Sequence, residues 1–284
     1  MNHAALSLRK YYALLAFLFC LAVFFVHIIW FAPADTTLLT EIWKPLEVLQ
    51  AETAYLYALL HGFMVLPIVA LSFDRRVAFH TKWKFLLPAI IVVALPFIIW
   101  DFLFTKVGVW GFSELYTLDY RFLHLPIEEW MFFVSAPFAC LFIYECLRYY
   151  FPLDTFKSFD KWITFVIISV LSVVGILYWG KLYTSVTCLA TAALLLAHYL
   201  SFDNTYRTFF YKAQLVSFLP FTLVNGILTG SITKEPVVQY NPIEMLGIRI
   251  ITIPIEDFVY CFMLLFSVVT IYEYLRERRT RLIK

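Results

Sequence analysis

The sequence predicts an all-α integral membrane protein of about eight transmembrane helices, with two parallel three-helix repeats joined by a linker helix and preceded by an extra N-terminal helix. Composition is the first support, since 62% of the 284 residues are hydrophobic and only 15% are charged. The second is length, because the apolar runs repeatedly reach the roughly 20 residues that carry a helix across a bilayer. The third is duplication. Pro126-Ile127-Glu128-Glu129 returns as Pro254-Ile255-Glu256-Asp257, 128 positions later (254 − 126), and Ile143-Tyr144-Glu145-x-Leu147-Arg148 returns as Ile271-Tyr272-Glu273-x-Leu275-Arg276 at the same offset.

The first apolar run, 11–31, sits between Arg9-Lys10 and Ala32-Pro33-Ala34. That arrangement is similar to a cleavable signal, but about 20 apolar residues is long for one, so a retained helix is expected. Residues 32–51, with Asp35, Glu41, Glu47 and Trp43, read as an external linker, which makes 1–51 a segment of its own. The first repeat, 52–150, places spans at 53–72, 85–104 and 125–147. The linker, 151–181, holds a span at 161–180. The second repeat and the tail, 182–284, place spans at 182–200, 214–230 and 252–275. Only Gly180-Lys181 separates the fifth span from the sixth, so a count of seven is the alternative.

Further matches tie the repeats together. Leu71-Ser72-Phe73-Asp74 pairs with Leu200-Ser201-Phe202-Asp203, and Pro96-Phe97, Asp101 and Thr105 pair with Pro220-Phe221, Asn225 and Thr229. One linker span after three gives the second unit the orientation of the first, so both acidic motifs open on one face and a composite site between the halves is reasonable. With eight spans, the N-terminus, 73–84, 148–160, 201–213 and the tail share a side carrying 15 Lys and Arg against seven, together the 22 of the chain. That surplus puts both termini in the cytoplasm. The formal charge of +2 gives no reason to expect a nucleic-acid partner.

Glu128 and Glu129 in one repeat, and Glu256 and Asp257 in the other, are the leading catalytic candidates. Ionised carboxylates beside hydrocarbon are costly. Proline before a first helical turn is well placed, and an acid in that turn meets the positive end of the helix dipole, so capping alone is one reading of Glu129 and Asp257. The other reading rests on the doubling: neighbouring carboxylates repel, so one can hold a proton while its partner stays ionised, and the pair divides donor from charge stabiliser. Asp101, at the outer end of the third span, is a further candidate, and its counterpart Asn225 is uncharged. The competing reading makes Asp101 a hydrogen-bonded packing partner of Trp100 or the loop. Glu145 and Glu273 lie about 25 Å down the helices from the acidic motifs and read as structural i,i+3 partners of Arg148 and Arg276.

Most of the 30 Phe, 18 Tyr and 8 Trp are expected to serve packing and interfacial anchoring. An aromatic cavity beside acids can also stabilise a carbocation and exclude water. Trp100, Trp110, Phe112, Trp130 and Asn225 are the candidates for contacting substrate, and the loop with Trp110-Gly111-Phe112 and Tyr116 is the candidate lid. Cys20, Cys140, Cys146, Cys188 and Cys261 lie in apolar segments without a C-x-x-C spacing and read as packing thiols. His61 and His198 read as core histidines, and no metal-ligand spacing is present, so no metal is expected.

Taken together, Leu71-Ser72-Phe73-Asp74-Arg75-Arg76, Pro96-Phe97-Ile98-Ile99-Trp100-Asp101, Gly108-Val109-Trp110-Gly111-Phe112 and Leu125-Pro126-Ile127-Glu128-Glu129-Trp130 resemble the membrane-integral lycopene cyclases. The resemblance covers about 52–276 and matches the fused, single-chain form of the heterodimeric bacterial enzymes; it extends to the cyclase part of fungal bifunctional enzymes. It implies an isomerase that closes the ψ ends of lycopene to β-ionone rings, giving γ-carotene and then β-carotene without net redox change. The proline-acid motifs of the family fall on Glu128 and Glu129 and on Glu256 and Asp257, with Glu128 the first choice of proton donor and Glu256 or Asp257 as base. No G-x-G-x-x-G is present, so no flavin or nicotinamide cofactor is expected. The implied partners are lycopene and γ-carotene, the lipid bilayer and other carotenoid-pathway enzymes, and the implied site is a bacterial inner membrane. The rival reading is a small parallel-repeat transporter whose acids bind a polar solute or couple protons.

Overall fold

The computed structural model describes residues 53–202 and 206–283. The span expected at 11–31, the linker at 32–51 and Asp203 of the repeated tetrapeptide lie outside the described residues. Seven helices follow: α1 (Leu56–Leu71), α2 (Trp83–Lys106), α3 (Ile127–Tyr150), α4 (Asp160–Leu177), α5 (Leu182–Ser201), α6 (Arg207–Leu228) and α7 (Ile255–Ile283). Five of them, α2, α3, α4, α5 and α7, are long and apolar enough to cross a membrane. Seven of the eight expected helices thus fall among the described residues, with α1 only 16 residues long and α6 outside the five.

The start of α6 differs from the expected 214 for a physical reason. Arg207, expected in a cytoplasmic loop, is instead helical and 2% exposed. Its guanidinium donates to Asp160 through Nε at 2.8 Å and Nη2 at 2.5 Å, lies 3.2 Å from His198 Nδ1, and stacks 4.9 Å from the Tyr199 ring. A paired, bidentate cation can be buried where a lone one cannot. The break at Gly180-Lys181 separates α4 from α5, so the fused alternative does not hold. Lys181 Nζ donates to Met245 O at 2.8 Å, which fixes this turn. Below it α4 closes on α5 at Gly175, where a Cβ would lie 2.6 Å from Leu189 Cγ.

The repeat is visible contact by contact. β1 (Trp110–Phe112) pairs antiparallel with β4 (Val238–Tyr240), and its central pair is Gly111 with Gln239, which are each other's repeat mates at 128 positions (239 − 111). A local twofold relation therefore passes between them. The hairpin β2 (Arg121–Phe122) with β3 (Leu125–Pro126) recurs as β5 (Arg249–Ile250) with β6 (Ile253–Pro254). Leu123 and Ile251, equivalent in the two hairpins, both adopt left-handed φ values, 51° and 61°, a region non-glycine residues rarely occupy. Within the units α1 packs on α3 as α5 packs on α7, and across them α2 lies along α7 while α6 stands beside α3.

At the far end of α3 and α7 from the acidic motifs, the second duplicated motif ties the units together. Tyr144 Oη donates to Glu273 Oε1 and Tyr272 Oη to Glu145 Oε1, each at 2.9 Å. Arg148 bonds Glu273, and Arg276 Nη1 lies 3.3 Å from Glu145 Oε1. The i,i+3 pairs expected within each helix are present but longer, 3.6 Å in both cases. The same four charges thus do more than brace their own helices: each arginine and each tyrosine crosses to the other repeat. A double-mutant cycle on thermal unfolding in detergent should give a coupling of about 1–2 kcal/mol for Arg148→Ala with Glu273→Ala, and below about 0.5 kcal/mol for Arg148→Ala with Glu145→Ala. Equal couplings would contradict the cross-unit clasp.

Candidate active site

Each acidic motif starts a helix directly after a proline, and its two carboxyls point to different tasks. Pro126 is extended at φ −64°, ψ 151° and precedes α3, with Glu128 and Glu129 in the first turn. Glu128 is fully buried, and its Oε1 accepts from Leu118 N at 2.8 Å. The second repeat does the same: Glu256 Oε1 accepts from Leu246 N at 2.7 Å and from Thr184 Oγ1 at 2.6 Å. The first acid of each pair therefore holds the segment that leads into its hairpin, ten residues upstream. The second acid turns inward.

Glu129 and Asp257 line one cavity of about 1030 Å³, together with Asp101. Tyr57 Oη donates to Glu129 Oε2 at 2.7 Å. Asp257 takes three donors: Tyr183 Oη on Oδ1 at 2.5 Å, and Asn225 Nδ2 at 2.7 Å and Tyr240 Oη at 2.8 Å on Oδ2. Burial first, then the neighbouring Asp257 carboxyl, push the Tyr240 phenol well above its usual value, so it stays a donor. Trp110 Nε1 donates to Asp101 Oδ1 at 2.6 Å, whereas Asp101 Oδ2 is buried with no hydrogen-bond partner. Three buried carboxyls share one hollow, and they are unequally served.

The rest of the cavity wall is mostly apolar and comes from both repeats. From Glu129 it follows α3 past Phe132 and Cys140 to Ile143. The fourteen steps from Glu129 to Ile143 make a trough of about 21 Å at 1.5 Å per residue. It opens to the outside of the bundle between α1 and α6, where the lining residues Phe63, Leu219 and Leu223 are exposed. At the acid end it is capped by β1 and β4 through Trp110, Phe112, Val238 and Tyr240. A long, rod-like hydrocarbon can lie along the trough with its tip at the carboxyls.

Of the residues singled out in the sequence, Glu129, Asp257, Asp101, Trp110, Phe112 and Asn225 line this cavity. Glu128, Glu256, Trp100 and Trp130 are not among its lining residues. Trp100 packs against Tyr260 of α7 at 5.3 Å, and Trp130 sits on the hairpin, its Nε1 donating to Phe122 O at 3.2 Å. Tyr57, Tyr183, Tyr240 and Tyr260 escaped the sequence reading because tyrosines are so frequent here that membrane anchoring accounted for them. One signal was available. Tyr57 lies 72 residues before Glu129 and Tyr183 lies 74 before Asp257, at matching places in the two repeats. Among the described residues no group of three or more His, Cys, Asp or Glu is placed to hold a metal.

The family model described as lycopene cyclase matches this chain twice, over residues 54–147 and 180–275. The chain belongs to the lycopene cyclase family. The two matches together span about two thirds of the chain, begin just ahead of Tyr57 and Tyr183, and end within the clasp helices. A lycopene cyclase acts on a lipophilic carotenoid, and the apolar helices suit a membrane setting. Comparison with curated proteins and with solved structures gave no significant match.

Because Glu128 pins the Leu118 amide, Glu128→Ala should raise hydrogen exchange at Leu118 and the following hairpin by about 10-fold or more, the cost of about 1–3 kcal/mol of leaving that amide without its acceptor. Glu128→Gln, which keeps an acceptor, should restore most of the protection. Unchanged exchange in Glu128→Ala would show that the pin carries no stability.

Proposed function

We propose that this lycopene cyclase closes the ψ ends of lycopene to β-ionone rings by a proton-initiated, non-redox isomerisation, giving γ-carotene and then β-carotene. The observation that carries the reading is the convergence of Glu129, Asp257 and Asp101, from both repeats, on one apolar trough. Glu129 is the proton donor. Tyr57 occupies one of its oxygens, which leaves the other to carry a proton to the terminal alkene. The tertiary cation so formed is captured by the C5–C6 double bond, and the ring cation loses its C6 proton. Atoms balance: one proton enters, one leaves, and no electrons are exchanged.

Asp257 is the anion of the site. An ionised carboxylate only accepts hydrogen bonds, and the three donors aimed at Asp257 match that state. It offsets the cation and takes the departing proton, while Asp101, held by Trp110, feeds the donor side. General acid-base assistance supplies about 10²- to 10⁴-fold, so preorganised charge and the aromatic walls of Trp110, Phe112 and Tyr260 supply much of the remainder. The donor role expected for Glu128 passes to Glu129 in this reading, since the bonded oxygen of Glu128 serves Leu118 and its side chain does not line the cavity. A polar solute would find little to bind along the trough, which favours the cyclase over a transporter. The cyclase works in the cell membrane with both termini in the cytoplasm.

Expression in a host that accumulates lycopene should turn the pigment from red to yellow-orange, with γ- or β-carotene on chromatography. Glu129→Gln and Asp257→Asn should each insert normally and lose about 100-fold or more of ring formation, whereas Glu128→Gln should keep at least a tenth of it. Near-normal activity in Glu129→Gln, or its loss only in Glu128→Gln, would overturn the assignment.

A further inference from the structure

A duplicated bundle should present two carotenoid troughs, one for each repeat, yet the two sides are built differently. The open trough runs beside α6, where Phe221, Val224 and Leu228 line it. Through the pairing of Pro96-Phe97 with Pro220-Phe221, the same places on α2 are held by Phe97, Trp100 and Phe104. Those three are as buried as Val224 and Leu228, but they do not line the cavity. Where α6 carries a valine and a leucine, α2 carries an indole and a phenyl ring.

The larger rings fill the space that the smaller residues leave open. Phe97 and Trp100 each meet the Tyr260 ring of α7 edge-on at 5.3 Å, and Trp100 meets Phe104 at 5.5 Å. Phe104 continues into Trp110 at 4.9 Å and Tyr183 at 6.3 Å. This wall lets α2 lie closely along α7, whereas α6, with its small residues, stands off α3. The repeat mate of Tyr260 on α3 is Phe132, 128 positions earlier, and Phe132 lines the open trough. One side is sealed by aromatic packing; its mirror image is the binding site.

Resting on the cyclase reading above, we infer that the chain holds a single, one-ended carotenoid trough, that Trp100 and Phe104 seal its mirror image, and that the two ends of lycopene are cyclised in separate binding events. The trough is capped at the acids by β1 and β4, so only one tip of a linear substrate can reach Glu129 at a time. The half-cyclised product must withdraw and turn end for end before the second ring forms. γ-Carotene is therefore a released intermediate that mixes with the surrounding pool.

The test uses the full chain in membranes supplied with ¹³C-labelled lycopene and a tenfold excess of unlabelled γ-carotene. Labelled γ-carotene should appear first, and the early β-carotene should be mostly unlabelled, reflecting the pool. Fully labelled β-carotene from the first turnovers would overturn the inference while leaving the cyclase intact; the absence of any ring would overturn the cyclase reading itself. A second arm places the seal in the open trough. Val224→Trp should lower formation of both rings at least 10-fold, while Leu215→Trp, on the outward face of α6 and outside the cavity lining, should keep activity at equal protein level. Half or more of the wild-type rate in Val224→Trp would sink the proposal, and should that variant not accumulate, the label experiment on the wild-type chain decides alone.

Discussion

Placing carboxyls inside an apolar helix bundle is the constraint that shapes this molecule. Each such group, left alone, costs several kcal/mol in lost hydration, so each must be met by donors that the fold supplies. Glu128 and Glu256 meet it through one oxygen each, with the Leu118 and Leu246 amides, which costs the loops their freedom and gives the hairpins their shape. Glu129 and Asp257 meet it with phenols from α1, α5 and β4. Glu145 and Glu273 meet it with arginines and tyrosines from the opposite repeat. The acids thus determine which helices touch, and the site is a consequence of the same contacts.

Duplication supplies the frame, and departures from it supply the chemistry. Asp101 faces Asn225 across the pseudo-symmetry, Glu129 faces Asp257, and Trp100 faces Val224. A symmetric pair of carboxyls would have two equal proton affinities and no preferred direction of transfer. Here one carboxyl has a single phenol donor and the other has three donors, which separates a group suited to giving a proton from one suited to carrying charge. The same asymmetry opens one trough and closes the other.

Much of this was legible in the residues. The helices from 53 onward, the offset of 128, the break near Gly180 and the pairing of Asp101 with Asn225 all follow from apolar run lengths and repeated motifs. Which acid of each pair faces the cavity was not legible, because neighbours in the first turn of a helix point about 100° apart and only the tertiary position of that helix decides which is inward. The early start of α6 was hidden for a related reason: Arg207 is polar in the sequence and is neutralised by Asp160, which is distant in the chain. The crossed arginine pairs looked local because i,i+3 spacing is a good helical signal, while the twofold arrangement that offers a shorter partner is a property of the assembled units.

The central claim is that carboxyls gathered in one apolar trough start ring closure by adding a proton to the end of a polyene. The most direct measurement is turnover of lycopene in D₂O followed by mass spectrometry of the product. Proton-initiated closure predicts about one deuterium in each new ring, since the solvent-derived proton stays at C2 and the C6 hydrogen is lost. Rings formed at the normal rate without deuterium would contradict the account.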